Sequence, residues 1–215
     1  MVVEMTAEEV RRECIERMGA PLGAVYFALR NELFAVWLRW NEFELLFGAS
    51  PERVESLNRA AGSFFKMVQD LLWESSLLHV ARITDSPKTM NKSNLTIQCL
   101  PDLVSDEKRD AVQELVEKAK DKAAFCKDWR NRRIAHKDRN LATSDDAQPL
   151  PEATRKKVRE ALEAIAEVLN AVALLYRGGS TLFECVDSLS GARSLLRVLE
   201  EGLKVHEDRA HGRAD

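Results

Sequence analysis

Four cysteines, Cys14, Cys99, Cys126 and Cys185, are scattered through this 215-residue chain with no CxxC or zinc-ligand spacing. That pattern excludes a zinc-finger arrangement and favours reduced, packed thiols in a cytoplasm over a disulfide framework. Only nine glycines and six prolines interrupt the chain. Alternating β-branched segments are nearly missing, so the balance favours helices. No apolar run is long enough to span a bilayer, and no membrane association is expected. The first residues carry Glu4, Glu8 and Glu9 where a leader would carry basic charge, so no signal peptide is expected and the protein reads as soluble. With a formal net charge of -3 there is no overall basic field, which excludes a constitutive nucleic-acid coat and requires any nucleic-acid site to be a local patch.

What is present is helix-forming sequence, enough for one medium domain with a core that needs neither disulfides nor structural metal. Thr6 and Glu9 form the pattern of a capping box, and Gly19 before Pro21 closes a first helix. From Pro21 the apolar positions Val25, Leu29, Leu33, Val36, Trp37 and Trp40 recur at three and four residues until Gly48. Ser50 and Pro51 open a third helix through Phe64, Val68, Leu71, Leu72, Leu78 and Ala81, ending near Asp85, Ser86 and Pro87. The stretch from there to Val104 reads as a long functional or lid-like loop. Ser105 and Asp106 start a fourth helix with the stripe Val112, Leu115, Val116, Ala119, Ala123, Cys126 and Trp129. A polar loop through Asp145, Asp146, Pro149 and Pro151 precedes a fifth helix, Val158, Leu162, Ile165, Leu169, Val172 and Leu175, stopped by Gly178 and Gly179. A shorter helix carries Leu195, Leu196, Leu199 and Leu203. The expectation is an all-α bundle of about five to six helices with a long loop before the fourth, one domain over 1–205 and a polar, disordered tail over 206–215.

Chemistry concentrates in Trp129-Arg130-Asn131-Arg132-Arg133-Ile134-Ala135-His136-Lys137-Asp138. An arginine holds phosphate with a planar, permanent fork and a histidine moves protons near neutral pH. The fourth helix is basic along its second half, with Lys118, Lys120, Lys122, Lys127, Arg130, Arg132, Arg133, Lys137 and Arg139 outweighing Asp121, Asp128 and Asp138. Arg130 and His136 lie six residues apart, a rotation of about 240° on a regular helix. For them to face one target the helix must end or distort near Ile134 and Ala135, or two copies must meet across a dimer interface. The competing reading is that these cations complement the negative end of a helix dipole.

Arg130-Asn131, four residues, then His136 fits the Rx4-6H pattern of the HEPN superfamily. Together with the segment from Trp73 to Asp85, the stretch Asn94-Leu95-Thr96-Ile97 and Arg133-Ile134-Ala135-His136-Lys137-Asp138, it makes residues 20 to 180 resemble the abortive-infection U-type branch of that superfamily. The resemblance implies an all-α domain, usually a homodimer, in which Arg130 and His136 of both copies act as a metal-independent endoribonuclease with no cofactor. Asn131 would orient the pair, and Arg132, Arg133, Lys137 and Arg139 would hold flanking RNA phosphates. It also implies a cytoplasmic antiphage or toxin role, with a neutralising antitoxin protein as a potential partner. A non-catalytic RNA-binding or protein-interaction module remains the alternative, and a structural scaffold a third.

Weaker signals surround this segment. Glu74, His79 and Arg82 sit among apolar neighbours on the third helix, together with Asp85; Glu74 is a potential partner of Arg130, of His136 or of Arg82, and His79 reads as a hydrogen-bonded core or interface histidine. His206 and His211 are five apart where a helical zinc motif needs four, so no metal site is expected. Gly178-Gly179-Ser180 is a helix stop rather than a phosphate loop. Trp37, Trp40, Trp73 and Trp129 read as core or dimer contacts.

Overall fold

The computed structural model describes residues 5–144 and 146–211. Within them lie seven α-helices and one two-stranded hairpin. Glu4 and Asp145, and the last four residues of the expected tail, lie outside the described residues.

The first helix, α1 (Ala7–Met18), opens as its sequence dictates: the Thr6 backbone N–H donates to Glu9 Oε2 at 2.7 Å and the Glu9 N–H donates to Thr6 Oγ1 at 3.3 Å. Gly19, at φ 82°, ends it and turns the chain into α2 (Ala20–Phe43). The next helix, α3 (Pro51–Ile83), is interrupted at Ala61. After the hairpin β1 (Lys88–Thr89) and β2 (Lys92–Ser93) come α4 (Asp106–Trp129), the short α5 (Arg139–Thr143), α6 (Arg155–Arg177) and α7 (Ala192–His211). One-turn π-helices follow α2, at Glu44–Gly48, and α4, at Arg130–Ile134.

Packing gathers these elements into two compact units. A 24-residue helix such as α2 is about 36 Å long. Its residues up to Val36 belong to one unit and those from Trp37 to the other. The first unit comprises the residues up to Val36 and Leu77–Phe183, the second Trp37–Ser76 and the residues from Glu184.

In the first unit α4 and α6 pack along their lengths. Val112, Val116, Ala119, Ala123 and Cys126 meet a face made by Val158, Ala161, Leu162, Ile165, Val168, Leu169 and Val172, all buried at the spacing of one helical stripe. The pairs Lys118 to Glu167, at 2.6 Å, and Lys122 to Glu160, at 2.8 Å, run in opposite order along the two helices, so these are antiparallel. The same pairing corrects the picture of an open basic face: α6 supplies carboxylates to α4 lysines, and Lys120 is bound to Glu117 at 2.7 Å. Burial pushes the Cys126 thiol far above its ordinary range, in keeping with a packing role.

The α1–α2 contact depends on Gly23. A Cβ there would stand 2.5 Å from the Cys14 carbonyl oxygen and 2.6 Å from the Ile15 Cα, both backbone atoms that cannot swing aside. Gly23→Ala is therefore expected to destabilise the fold by about 1–3 kcal/mol, the range for overpacking, read as a lowered midpoint in denaturant. An unchanged midpoint would show that α1 does not dock as described.

The second unit closes around Leu46, Leu57, Phe65, Ala192 and Leu196, beside the aromatic set Trp40, Phe43, Phe47 and Trp73 with centroids 5.2–5.9 Å apart. Three sequence expectations shift, the last of them in α6 of the first unit. Phe64 and Leu71 are exposed while Phe65 is buried, because adjacent apolar residues on α3 leave spacing unable to choose the inner face. The segment 206–211, expected to be a disordered tail, continues α7, and Arg59 pairs with Glu207 across the unit. Leu175 of α6 is likewise exposed.

Candidate functional site

The motif begins where α4 changes its winding. Over Arg130–Ile134 the backbone widens into a π turn in which the Ala135 N–H donates to the Arg130 carbonyl at 2.8 Å, a bond spanning five residues instead of four. The helix then stops, with the Asp138 N–H bound to the Arg132 carbonyl at 3.0 Å. The regular winding that would set Arg130 and His136 about 240° apart is thus broken inside the motif. His136 is exposed in the bend that follows.

Arg130 is held from two sides. Its NH1 donates to Asp85 Oδ2 at 2.5 Å and its Nε donates to Asn131 Oδ1 at 2.9 Å. Its side chain is 17 % exposed and that of Asp85 22 %, so one side of the guanidinium is shielded and fixed while some of it still meets solvent. Asp85 is not singled out as the partner of Arg130 by sequence, yet it grips the guanidinium. It follows α3 and lies 45 positions before Arg130. Sequence alone offers Glu74 as a partner for Arg130, and Asp85 only through its place in the segment from Trp73 to Asp85. Glu74 is half-buried in the second unit.

The stretch after Asp85 is not an open lid. Gln98 Nε2 donates to the carbonyls of Thr84 and Asp85 at 2.8 and 2.9 Å, and the buried Thr96 hydroxyl donates to the Ile83 carbonyl at 2.9 Å. Asn94 donates through Nδ2 to the Ser86 carbonyl and to Thr89 Oγ1, both at 2.8 Å. Side chains therefore satisfy the end of α3, and the segment that bears Asp85 is braced.

The other residues singled out by sequence take separate places. His79 is buried and its Nε2 lies 2.6 Å from Glu32 Oε2; Arg82 reaches the same carboxylate at 3.6 Å. They form a cluster with α2 rather than with Arg130. Arg132, expected to hold RNA, is drawn into the fold instead: it faces Asp128 at 3.3 Å and Asp138 at 3.4 Å, and donates to the carbonyls of Pro149 and Gln148. A guanidinium has five donors, and four fixed acceptors next to it in sequence or in the following loop claim them. Asp138 also caps α5, accepting from the Asn140 and Leu141 N–H groups at 2.8 and 3.1 Å. These backbone bonds, with the Arg132 guanidinium, hold its carboxyl below the usual range.

Arg133 lies 5.8 Å from the Trp129 ring, whose Nε1 donates to the Pro151 carbonyl at 2.9 Å. Lys127, Lys137 and Arg139 are exposed and make no ion pair among the described residues. Among those residues no three His, Cys, Asp or Glu side chains are grouped as metal ligands would be, and His206 stands on α7, away from the motif in sequence. Gly178, left-handed at φ 71°, caps α6 and is a helix stop. Among the described residues no helix is long and apolar enough to cross a membrane.

The sequence profile of the AbiU2 family of HEPN proteins matches residues 20–192. No curated protein and no solved structure gives a significant match.

Proposed function

We propose that this chain, which belongs to the AbiU2 family of HEPN proteins, is a metal-independent endoribonuclease of abortive-infection or toxin type. One observation carries the reading: Arg130 is fixed by Asp85 and Asn131 at the π turn that distorts the helix before His136. A pre-positioned guanidinium with some exposure left can meet a phosphate at little reorganisation cost, and an exposed imidazole a few residues on can exchange protons with it.

In the reaction, the ribose 2′-oxygen bonds to the adjacent phosphorus as the bond to the 5′-oxygen breaks. The 2′ proton leaves to an imidazole, His136, and the departing 5′-oxygen takes a proton from water or from the His136 of a second copy. Arg130 stabilises the charge on the non-bridging oxygens, Asn131 keeps its Nε in place, and Arg133, Lys137 and Arg139 would hold flanking phosphates. Arg132 has a structural part, holding the end of the motif to the loop at Gln148 and Pro149. Two copies joined in one cleft, and a neutralising protein that covers it, complete the reading.

Purified protein incubated with cellular RNA in excess EDTA is expected to leave fragments ending in 2′,3′-cyclic phosphate. Loss of cleavage on chelation, or products with a plain 3′-phosphate from the outset, would count against it. The second reading, a module that binds RNA without cutting it, is supported by the same exposed cations. It predicts binding whose strength falls with salt and no fragments at all.

A further inference from the structure

Building on the RNA reading above, we infer that the hairpin Lys88–Ser93 is a wedge that holds single-stranded RNA open beside Arg130. Its strands pair Lys88 with Ser93 and Thr89 with Lys92. Successive strand residues face opposite sides, so Lys88 and Lys92 project from the two faces of the ribbon. Each face therefore offers one ammonium to a passing phosphate.

The tip lies between them. Met90 and Asn91 have φ of 47° and 65°, the left-handed pair that a two-residue hairpin turn needs. Asparagine accepts that conformation readily, whereas methionine does not, and glycine would serve the turn better. Met90, moreover, is 93 % exposed. A strained backbone that presents an apolar, polarisable side chain to water is poor economy for folding alone. It fits a thioether that slides against a base face, in the way apolar wedges part stacked bases.

The wedge is also mounted on the site. Asn94 ties its two ends together through the Ser86 carbonyl and Thr89 Oγ1, and the Asn94 N–H donates to the Pro87 carbonyl at 2.8 Å. Ser86 directly follows Asp85, the carboxylate that grips Arg130. The hairpin root and the arginine anchor are one braced segment, so a base step parted at Met90 is delivered near the guanidinium. Single-stranded RNA suits this arrangement, because its bases splay at low cost and its phosphates stay accessible on both sides.

The test uses His136→Ala protein, so that RNA is bound and not consumed, and a short fluorescein-labelled single-stranded RNA whose anisotropy is read at several salt concentrations. Adding Lys88→Ala and Lys92→Ala is expected to lower the slope of log affinity against log salt by about 1.4, the loss of two phosphate contacts. Adding Met90→Gly is expected to leave the thermal midpoint unchanged or raise it, because the turn relaxes, yet weaken binding roughly fivefold. An unchanged slope in the lysine variant, or undiminished affinity in Met90→Gly, overturns the wedge while leaving the RNA reading intact. Failure of the His136→Ala protein itself to bind the RNA overturns that reading instead.

Discussion

Replacing His136 with alanine is expected to slow RNA cleavage by about 10²–10⁴-fold, the span found for losing a proton-transferring group. The side chain is exposed, so folding and RNA affinity should hardly change and the loss should lie in the rate of the chemical step. Arg130→Ala is expected to lose about 10²–10³-fold, the effect of removing one preorganised donor from a developing charge. Arg130→Lys should recover little of it, because an ammonium restores the charge but not the two-sided grip on Asp85 and Asn131. In cells, inducing the unaltered protein should arrest growth and inducing either alanine variant should not. Full cleavage by His136→Ala protein, with RNA affinity intact, would remove the imidazole from the mechanism.

Asp85→Ala is the second large effect, and it separates positioning from chemistry. Without its carboxylate the Arg130 fork keeps only the Asn131 contact and explores positions away from the phosphate; a misplacement of that kind costs about 10²-fold in rate. RNA binding should persist or tighten, since a cation formerly neutralised by Asp85 becomes available to phosphate. The expected signature is a fall in kcat with KM unchanged or lower at an unaltered thermal midpoint; partial unfolding would lower the apparent kcat together with that midpoint. Asp85→Glu, which keeps the charge, should recover part of the rate. Unchanged kcat in Asp85→Ala protein would mean that the pair merely decorates the end of α3, as exposed ion pairs often do.

Much of the fold was legible because its signals are local. The Thr6–Glu9 box, Ser50 before Pro51, Gly178 after α6 and the stripe from Val112 to Cys126 each act within one or two helical turns, and each behaves as its spacing predicts. The long loop was legible only as an interruption. Its hairpin, its turn through Met90 and Asn91 and its buried Thr96 depend on carbonyls at the end of α3, which no pattern inside residues 84–104 reveals. The phase of α3 was lost where Phe64 and Phe65 stand side by side, both apolar and only one of them buried.

The candidate site divides in the same manner. The segment Arg130 to His136, its basic neighbours and the need for a distorted helix between the two motif residues followed from sequence, since residue type and helical rotation are properties of the chain itself. Which carboxylate would grip Arg130, whether Arg132 would face solvent, and how many lysines of α4 would remain uncovered were decided by tertiary structure. Asp85 reaches Arg130 across 45 residues, Arg132 is claimed by a loop 16 positions on, and α6 brings Glu160 and Glu167 to lysines it does not adjoin in sequence. Long flexible side chains select partners by proximity in the folded molecule, and the sequence offered several carboxylates of equal chemistry for each arginine. Only the packing of one helix against another removed the choice.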